Sequence, residues 1–255
     1  MWNGKRVSVV LMTYAERESI RRVIESFYGT GAVDEVVVVN NNAQPGTDEE
    51  VDHTGARQVF EERQGYGWAT RRGLEEATGD LIVLAEPDGT FMPSDIFKLL
   101  VYSDDCDAVF GTRTTRELVW RGANMGFFLK WGNWAAAKLV EVLFNTSHLS
   151  DIGCTYRLLS RETVERVKDS LTIGGSHLGP ELMVRTIVSG ARWVEVPVNY
   201  LPRVGTSSVT GDLGKAIALG LRMVALILRL RLVTMGRARR PVTPRPVDDL
   251  ARPAA

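Results

Sequence analysis

The sequence predicts an α/β fold in which helices cover both faces of an open, mostly parallel sheet. Residues 7–12 and 35–39 are nearly continuous β-branched runs, as expected of strands that are buried on both faces. Segments with apolar residues at helical spacing alternate with such runs along the first half of the chain. Strands that alternate with helices form a doubly wound sheet, whose ligands bind beyond the carboxyl ends of the strands.

The first half of the chain shows this alternation most clearly. Residues 16–28 carry apolar side chains three and four positions apart, and Gly29 and Gly31 follow them, so we predict a helix between the first two strands. Gly79 ends a second helical pattern in the same way. The remaining predicted elements of this half are a strand at 57–61, a helix at 67–77, a strand at 81–85, a helix at 95–102 and a strand at 108–111.

The second half is richer in helical patterns. Residues 125–144 form a long apolar segment with several aromatic residues, which we predict to be helical. Residues 193–200 alternate as a late strand, which Pro202 limits. Shorter helices are predicted at 162–167 and 180–189.

The length and composition predict one domain with a helix and a tail after it. The chain has 255 residues, of which 44% are hydrophobic, and these are enough for an α/β domain with a full-sized core. We assign residues 1–210 to that domain and residues 211–235 to an amphipathic helix. Residues 236–255 are rich in Pro, Arg and Ala without apolar periodicity, so we expect a disordered tail there.

The composition also argues against several classes of protein. Thirty-one basic residues balance thirty-one acidic ones, whereas a nucleic-acid-binding protein usually has a large basic excess. Only Cys106 and Cys154 are cysteines, and the three histidines are scattered, which argues against a disulfide scaffold or a zinc site. Residues 216–233 are apolar, but arginines interrupt them, so we predict no spanning helix. We therefore expect a cytoplasmic protein without nucleic-acid partners.

An acidic pair, Glu86 and Asp88, follows the strand at 81–85, at the edge of the sheet where ligands bind. Only Pro87 separates the two carboxylates, so both can bind one divalent cation that in turn binds phosphate oxygens. A Pro-Asp-Gly sequence is also typical of a tight turn without any metal. The choice between these interpretations depends on the rest of the chain.

Small residues open the helix before this strand. Gly65 and Gly67 lie at its start and Arg72 lies further along it, a pattern that suits a diphosphate near a helix N-terminus. The loop after the first predicted strand contains no glycine. That absence disfavours a dinucleotide-binding dehydrogenase, whose fingerprint places glycines there.

Taken in order, these motifs resemble those of family 2 inverting glycosyltransferases, in the branch of dolichol-phosphate mannose synthases and bacterial polyprenyl-phosphate glycosyltransferases. The resemblance spans about residues 5–232. The chain departs from the family pattern at Ala15, where asparagine is usual, and at Asn40, where the second strand usually ends in aspartate. The resemblance implies a GT-A-type fold and a nucleotide-sugar site formed by Thr13, Tyr14, Glu16, Asn40, Asn42, Gly65, Gly67, Arg72 and Pro87.

The same resemblance implies a divalent cation, Mg²⁺ or Mn²⁺, bound by Glu86, Asp88 and Thr90. Asp88 and Asp151 are the implied catalytic residues, and Asp88 acts by neutralising the departing diphosphate through the metal. Asp151 stands where this branch places an acid that faces the acceptor, so we assign it as the candidate general base. Its alternative role is a helix or turn cap after Ser150. An acceptor phosphate needs no base, in which case Asp151 only orients other groups.

Later motifs resemble the acceptor side of the same branch. The implied acceptor-binding residues are Arg113, Arg116, Arg121, Glu181, Arg203 and Ser207. Guanidinium groups suit a phosphate because they form paired, charge-assisted hydrogen bonds. Ordinary surface ion pairing is the alternative for Arg116 and for Arg203. Ser208 stands where many relatives carry lysine, which leaves a small soluble acceptor open.

The predicted helix at 211–235 has a basic stripe, because Lys215, Arg222 and Arg229 recur every seven residues. The apolar residues opposite them are Ile217, Leu221, Val224, Leu228 and Met235. A basic stripe beside a broad apolar face is typical of a helix that lies in a membrane interface. We therefore expect peripheral attachment to the inner face of the cell membrane. The alternative is a helix that packs on the domain with its charges in water.

These observations together predict a metal-dependent transferase that moves a sugar from a UDP- or GDP-sugar to a polyprenyl phosphate or another lipid-like acceptor. One alternative is a transferase for a small soluble acceptor, as in secondary metabolism. Another is a non-catalytic nucleotide-sugar-binding protein whose site has decayed, which Ala15 and Asn40 would allow. The sequence does not predict the sugar or the oligomeric state.

Overall fold

The computed structural model describes residues 1–123, 127–205 and 213–235. Strands and helices alternate along most of this length. The strands are β1 (Val7–Thr13), β2 (Glu35–Asn40), β3 (Arg57–Phe60), β4 (Leu81–Ala85), β5 (Ala108–Thr112), β6 (Arg157–Ser160) and β7 (Trp193–Pro197). The α-helices of these residues are α1 (Arg17–Tyr28), α2 (Thr47–Asp52), α3 (Tyr66–Glu76), α4 (Ile96–Ser103), α5 (Phe127–Phe144), α6 (Arg161–Val167), α7 (Leu178–Val188) and α8 (Leu213–Thr234).

The strands form one seven-stranded sheet in the order β3-β2-β1-β4-β6-β5-β7. β1 pairs in parallel with β2 on one side and with β4 on the other, so the direction of winding reverses at β1. β6 is antiparallel to its neighbours β4 and β5, and the other pairs are parallel. The reversal brings the carboxyl ends of β1 and β4, at Thr13 and Ala85, side by side. Ligands of α/β sheets bind at such a switch point.

Helices cover both faces of the sheet. Every residue of β1 and β4 is buried, because one helical layer packs on each face. One core contains residues of α3, α5, α6, α7 and α8, and the other contains residues of α1, α2 and α4. Apolar burial between these layers holds the sheet, and it leaves the ends of the strands as the place for polar groups.

The structure confirms the predicted fold class, since helices flank a mostly parallel sheet. The sequence prediction omits two elements, α2 and β6. The only buried apolar residue of α2 is Val51, so the helix has no apolar stripe in its sequence. β6 is four residues long and begins with the buried Arg157, whose guanidinium donates to three backbone carbonyl groups. The predicted strand at 193–200 is also shorter in the structure, where β7 ends at Pro197.

α8 packs on the domain by one face and exposes another. Leu226, Ile227 and Leu230 are buried against the core, where α8 meets α5 and α7. Arg222 and Arg229 are exposed. The exposed apolar residues of this helix and its end are Ile217, Leu221, Leu228, Leu232, Val233 and Met235. Most of the predicted apolar face therefore lies on the solvent side.

The described helices include none that is long and apolar enough to span a membrane. Ser207, which the sequence implies in acceptor binding, and the predicted tail at 236–255 lie outside the described residues.

Candidate active site

The acidic pair lies at the switch point of the sheet. Glu86 and Asp88 follow β4 directly, beside the carboxyl end of β1. Nη2 of Arg203 lies 2.9 Å from Oε2 of Glu86 and also contacts Oδ2 of Asp88. The two carboxylates therefore converge on one point, as the sharing of a single cation requires.

Thr90 fixes the orientation of Asp88. The backbone amide and the hydroxyl group of Thr90 donate to Oδ1 of Asp88, over 2.9 and 2.6 Å. Asp88 is fully buried. Because Thr90 occupies Oδ1, the other oxygen, Oδ2, is the one that faces Arg203. The hydroxyl group of Thr90 is thus engaged with Asp88, and direct metal binding by Thr90 stays a prediction.

Burial and the neighbouring Asp88 carboxylate disfavour the ionised form of Glu86. Burial and the nearby Asp88 carboxylate raise the pKa of Glu86 to about 7, although Arg203 acts in the opposite direction. Arg203 supplies one positive charge between the two carboxylates. The site therefore favours an additional positive charge.

Arg203 reaches the acidic pair from a segment that we call the strap, residues 199–204. Backbone bonds fasten it to the turn that carries the pair, from the amide of Leu201 to the carbonyl of Thr90 and from the amide of Val204 to the carbonyl of Asp88. At its start, Asp95 accepts hydrogen bonds from Asn199. The strap thus crosses the open end of β4.

The side chain of Glu16 holds the loop after β1 by hydrogen bonds to the residues before it. The carboxylate of Glu16 accepts hydrogen bonds from the amides of Tyr14 and Ala15 and from the hydroxyl group of Thr13. Ser19, in the first turn of α1, donates to the carbonyl of Pro87 over 2.7 Å and fastens this loop to the acidic pair. The side chain of Tyr14 is half exposed. Thr13, Tyr14 and Glu16 therefore lie beside the acidic pair.

Three consecutive asparagines, 40–42, lie at the carboxyl end of β2, and they differ in their roles. Oδ1 of Asn40 accepts from the amide of Ala43, so Asn40 caps its own turn. Asn42 is exposed and has a positive φ of 56°. Sequence reasoning did not select Asn41. Its buried side chain donates to the carbonyl groups of Glu61 and Arg63, in the loop before α3, and accepts a hydrogen bond from the amide of Gly65. Asn41 therefore holds the start of α3 in place.

Gly65 and Gly67 allow another loop to approach α3. A Cβ atom on Gly67 would lie 2.5 Å from the carbonyl oxygen of Ile173, and one on Gly65 would lie 2.3 Å from that of Gly174. We call residues 172–175 the glycine loop. The close approach of backbone explains both glycines without a ligand, so their contact with a donor stays a prediction.

Glu181 holds the glycine loop. Its fully buried carboxylate accepts hydrogen bonds from the amide and hydroxyl groups of Thr172 and from the amide of Ile173. This geometry gives Glu181 a positioning role below the loop, and the acceptor contact that the sequence implies stays a prediction. Arg72 is likewise engaged on its own helix, where it pairs with Glu76 at 2.7 Å.

Asp151 and Arg113 form a buried ion pair. Both oxygens of Asp151 accept from the guanidinium of Arg113, over 2.8 and 3.0 Å, and the amides of Arg113 and Gly153 donate to them as well. Burial alone raises the pKa of Asp151, but Arg113 outweighs it and holds the pKa below its ordinary value. This environment is unfavourable for a general base, and that role of Asp151 stays a prediction.

Glu195 and Tyr200 connect this ion pair to the rest of the site. The carboxylate of Glu195 accepts from the amides of Ser150 and Asp151 and from the hydroxyl group of Ser150. The guanidinium of Arg113 lies 5.1 Å from the ring centre of Tyr200, which belongs to the strap. The resemblance includes Glu195 at the start of the closing acceptor-side motif, but sequence reasoning assigned this residue no role of its own.

The other implied acceptor residues are less constrained. Arg116 and Arg121 are exposed, and neither forms an ion pair with another residue that the structure describes. They lie on the segment between β5 and α5, which also carries Arg113. Their side chains are therefore accessible to a ligand.

The comparisons with known proteins agree with this geometry. The model of the family "Glycosyl transferase family 2" matches residues 8–167. An uncharacterized glycosyltransferase of Mycobacterium tuberculosis is 31% identical over 222 residues, which cover 85% of this chain and 95% of the relative. A dolichyl-phosphate hexose transferase of Haloferax volcanii is 29% identical over 228 residues, which cover 89% and 96%.

Among solved structures, glucosyl-3-phosphoglycerate synthase from Mycobacterium tuberculosis, in complex with Mn²⁺, UDP and phosphoglyceric acid, has a similar fold. It superposes with a TM-score of 0.68 at 19% identity and covers 89% of this chain and 79% of the other. Another mycobacterial protein superposes with a TM-score of 0.70 at 23% identity, over 89% and 75%. The family match and the identity to the mycobacterial relative lead to one conclusion: the chain is a glycosyltransferase and belongs to glycosyl transferase family 2.

Proposed function

We propose that the protein transfers a sugar, with inversion, from a UDP- or GDP-sugar to a polyprenyl phosphate or a similar lipid-like acceptor, in the dolichol-phosphate mannose synthase branch of its family. The observation that carries the donor side is the convergence of Glu86 and Asp88 on one point at the switch of the sheet. The dolichyl-phosphate hexose transferase of Haloferax volcanii, similar over nearly its whole length, supports the acceptor class.

The residues of the acidic pair fit Mg²⁺ or Mn²⁺. Hard divalent cations prefer carboxylate oxygens, and Oε2 of Glu86 and Oδ2 of Asp88 meet at a single positively charged nitrogen. A divalent cation bound there would neutralise the diphosphate as it leaves. The solved glucosyl-3-phosphoglycerate synthase holds Mn²⁺ and UDP, which supports a donor of this class.

The chain's own residues would bind and orient the substrates. Tyr14 follows β1 beside the acidic pair, and the asparagines lie at the end of the neighbouring strand β2; the nucleoside of the donor would bind along this edge. Thr90 keeps Asp88 oriented, so the carboxylate of Asp88 would need little reorganisation when the donor binds. Pre-organised groups of this kind lower a barrier because they need not move during the reaction.

Arginines would bind the acceptor. Arg113 is held by Asp151, and Arg116 and Arg121 follow it on the same exposed segment. A phosphate acceptor is itself nucleophilic, so it needs no base and leaves Asp151 as the anchor of Arg113. Planar guanidinium groups bind phosphate oxygens in pairs, which would fix the angle of attack.

A membrane surface would be the partner of α8. Its exposed apolar residues lie beside Arg222 and Arg229, and the helix contains no acidic residue. On α5, which packs against α8, Trp131 and Trp134 are exposed with their rings 5.6 Å apart. Tryptophans favour the membrane interface, and arginines favour anionic lipid.

A transfer assay tests this function. The protein is incubated with Mn²⁺, a polyprenyl phosphate and a panel of radiolabelled UDP- and GDP-sugars, and the label that partitions into organic solvent is counted. We expect organic-phase product from one donor, and none with the Asp88→Asn variant. Product that stays in water when soluble acceptors are added would instead support the small-molecule alternative, and no transfer with any acceptor would contradict the proposal.

A further inference from the structure

Arg203 occupies the point where the oxygens of the acidic pair meet. Its Nη2 atom contacts Oδ2 of Asp88 and lies 2.9 Å from Oε2 of Glu86. We infer that Arg203 is a built-in counter-ion of the acidic pair, which a divalent cation must displace, so that metal binding releases its guanidinium. The inference rests on the proposed function, because it requires that the pair bind a metal.

The two cations compete for the same oxygen. Oδ1 of Asp88 already accepts from both the amide and the hydroxyl group of Thr90. Oδ2 is therefore the oxygen left for a metal, and the guanidinium of Arg203 is in contact with it. Two positive charges at one buried oxygen also repel each other strongly. A metal and Arg203 therefore cannot occupy this point together.

The exchange is favourable in charge. When both carboxylates are ionised, the acidic pair carries two negative charges and Arg203 carries one positive charge, so the cluster has a net charge of −1. A divalent cation in place of the guanidinium makes the pair neutral. The released guanidinium then becomes available to an anion. Arg203 can therefore pair with the acids before the metal binds and still bind the acceptor afterwards, as the sequence implies.

The exchange requires only the side chain of Arg203 to move. The amides of Leu201 and Val204, on either side of Arg203, are bonded to the carbonyl groups of Thr90 and Asp88. These bonds hold the backbone of the strap to the turn of the acidic pair. The Arg203 side chain is 24% exposed, so its guanidinium has a route to solvent.

Competition of this kind weakens the apparent affinity for metal. If the guanidinium occupies the acids about 90% of the time, the apparent dissociation constant is roughly tenfold larger than that of the free pair. Removal of the guanidinium therefore tightens metal binding, whereas removal of an ordinary supporting residue weakens it or leaves it unchanged.

The test measures Mn²⁺ alone, without any sugar nucleotide. Free Mn²⁺ is followed by its EPR signal during titration of the wild type, Arg203→Gln and Arg192→Gln. Arg192 is a matched control, because it is also a partly exposed arginine in an ion pair, with Asp107 at 3.0 Å. Asp107 precedes β5 and Arg192 precedes β7, so this pair lies at the end of the strands opposite the acidic pair. We expect R203Q to bind Mn²⁺ about tenfold more tightly than the wild type, and R192Q to bind it as the wild type does.

A second measurement does not depend on the stability of R203Q. Mg²⁺ is added to the wild type while the arginine Nε–H signals are followed by NMR, and the Arg203 signal is identified by its absence from the spectrum of Arg203→Lys. We expect that signal to shift at the Mg²⁺ concentrations that saturate the site.

The outcomes separate the two claims. Equal or weaker Mn²⁺ binding by R203Q, or an Arg203 signal that Mg²⁺ leaves unchanged while the wild type binds the metal, overturns the displacement of Arg203 but leaves the metal site intact. Failure of both the wild type and R203Q to bind Mn²⁺ overturns the metal-dependent function itself.

Discussion

The carboxylate of Asp151 accepts four hydrogen bonds inside the protein, three of them from Arg113. A general base needs an oxygen that can take a proton from the acceptor. Both oxygens of Asp151 are engaged, and Arg113 keeps the pKa of this group below its ordinary value. The contacts therefore favour Asp151 as the anchor that aims Arg113.

The anchor role predicts a loss of stability in the Asp151→Ala variant. Removing one partner of a buried ion pair leaves the other charge uncompensated, which costs about 3 to 5 kcal/mol. We expect a fall of that size in the free energy of unfolding, measured by urea denaturation. The double variant with Arg113→Ala should lose much less than the sum of the single variants. A D151A protein of wild-type stability that has lost only sugar transfer would instead support the general base.

Individual residues were predictable where a motif carries the chemistry. The sequence implied Glu86 and Asp88 as metal ligands and Arg203 as an acceptor-binding residue; the structure brings the three side chains into contact, and those roles stay predictions. Asn41 was not separable from Asn40 and Asn42, because three identical amides in a row do not tell which one points inward. Asn41 holds the loop before α3, a role that depends on contacts with residues 20 and 24 positions away.

At the scale of elements, Gly67 shows how α3 and the glycine loop depend on each other. A Cβ atom at this position would lie 2.5 Å from the carbonyl oxygen of Ile173 and 2.6 Å from a backbone atom of Gly174. Both neighbours are backbone atoms and cannot turn away as a side chain does. The Gly67→Ala variant should therefore lose roughly 1 to 3 kcal/mol of unfolding free energy.

Gly132 provides the control for this variant. It is exposed within α5, and a Cβ atom there would have no neighbour within 4 Å. The Gly132→Ala variant should gain up to about 1 kcal/mol, because alanine favours a helix more than glycine does. Equal urea midpoints for the two variants would contradict the close packing of the glycine loop on α3.

Glu35 links β1, β2 and the segment before β4, and it makes the stability of the sheet depend on pH. Its carboxylate accepts from Ser8, from the amide and hydroxyl groups of Thr78 and from Arg57. Burial by itself raises the pKa of Glu35, but these hydrogen bonds outweigh it and lower the pKa below its ordinary value.

The sign of the pH effect follows from this lowered pKa. The folded state favours the ionised carboxylate, so its contribution is complete above the unfolded pKa and is lost as the pH falls through the folded pKa. The free energy of unfolding should therefore decrease from about pH 6 to about pH 3, and Glu35→Gln should decrease less over this range. Parallel urea series for both proteins across these pH values make the comparison. The same slope for both proteins would show that Glu35 does not contribute.

The sequence predicted most elements because long apolar patterns dominate them. It missed β6, since a strand that begins with the buried Arg157 has no apolar alternation over its four residues. It also could not give the antiparallel direction of this strand, which depends on pairing with β4 and β5. Periodicity identifies a strand by its burial and carries no information on its direction.

At the scale of the whole molecule, the exposed apolar side of α8 predicts binding to anionic membranes. The double variant Leu221→Gln and Leu228→Gln removes apolar area from this side and should sediment much less with phosphatidylglycerol vesicles than the wild type. Val101→Gln is the control, because Val101 is 54% exposed on α4, on the other face of the sheet. Binding should also weaken in high salt, since Arg222 and Arg229 attract the anionic lipid. Equal sedimentation of the double variant and the wild type would rule out this surface.

The central claim is that the acidic pair at the switch point binds the cation on which sugar transfer depends. Its most direct test is nucleoside diphosphate release from the donor sugar nucleotide, measured with Mn²⁺ and with a chelator in the wild type, Asp88→Asn and Asp107→Asn. Asp107 is the control: it precedes β5, at the end of the sheet opposite the acidic pair, and forms an ion pair with Arg192. We predict that chelation stops the wild type, that D88N loses about a thousandfold or more in kcat/KM, and that D107N stays within about twofold. A D88N protein that keeps wild-type turnover, or a wild type that the chelator does not affect, would contradict the account.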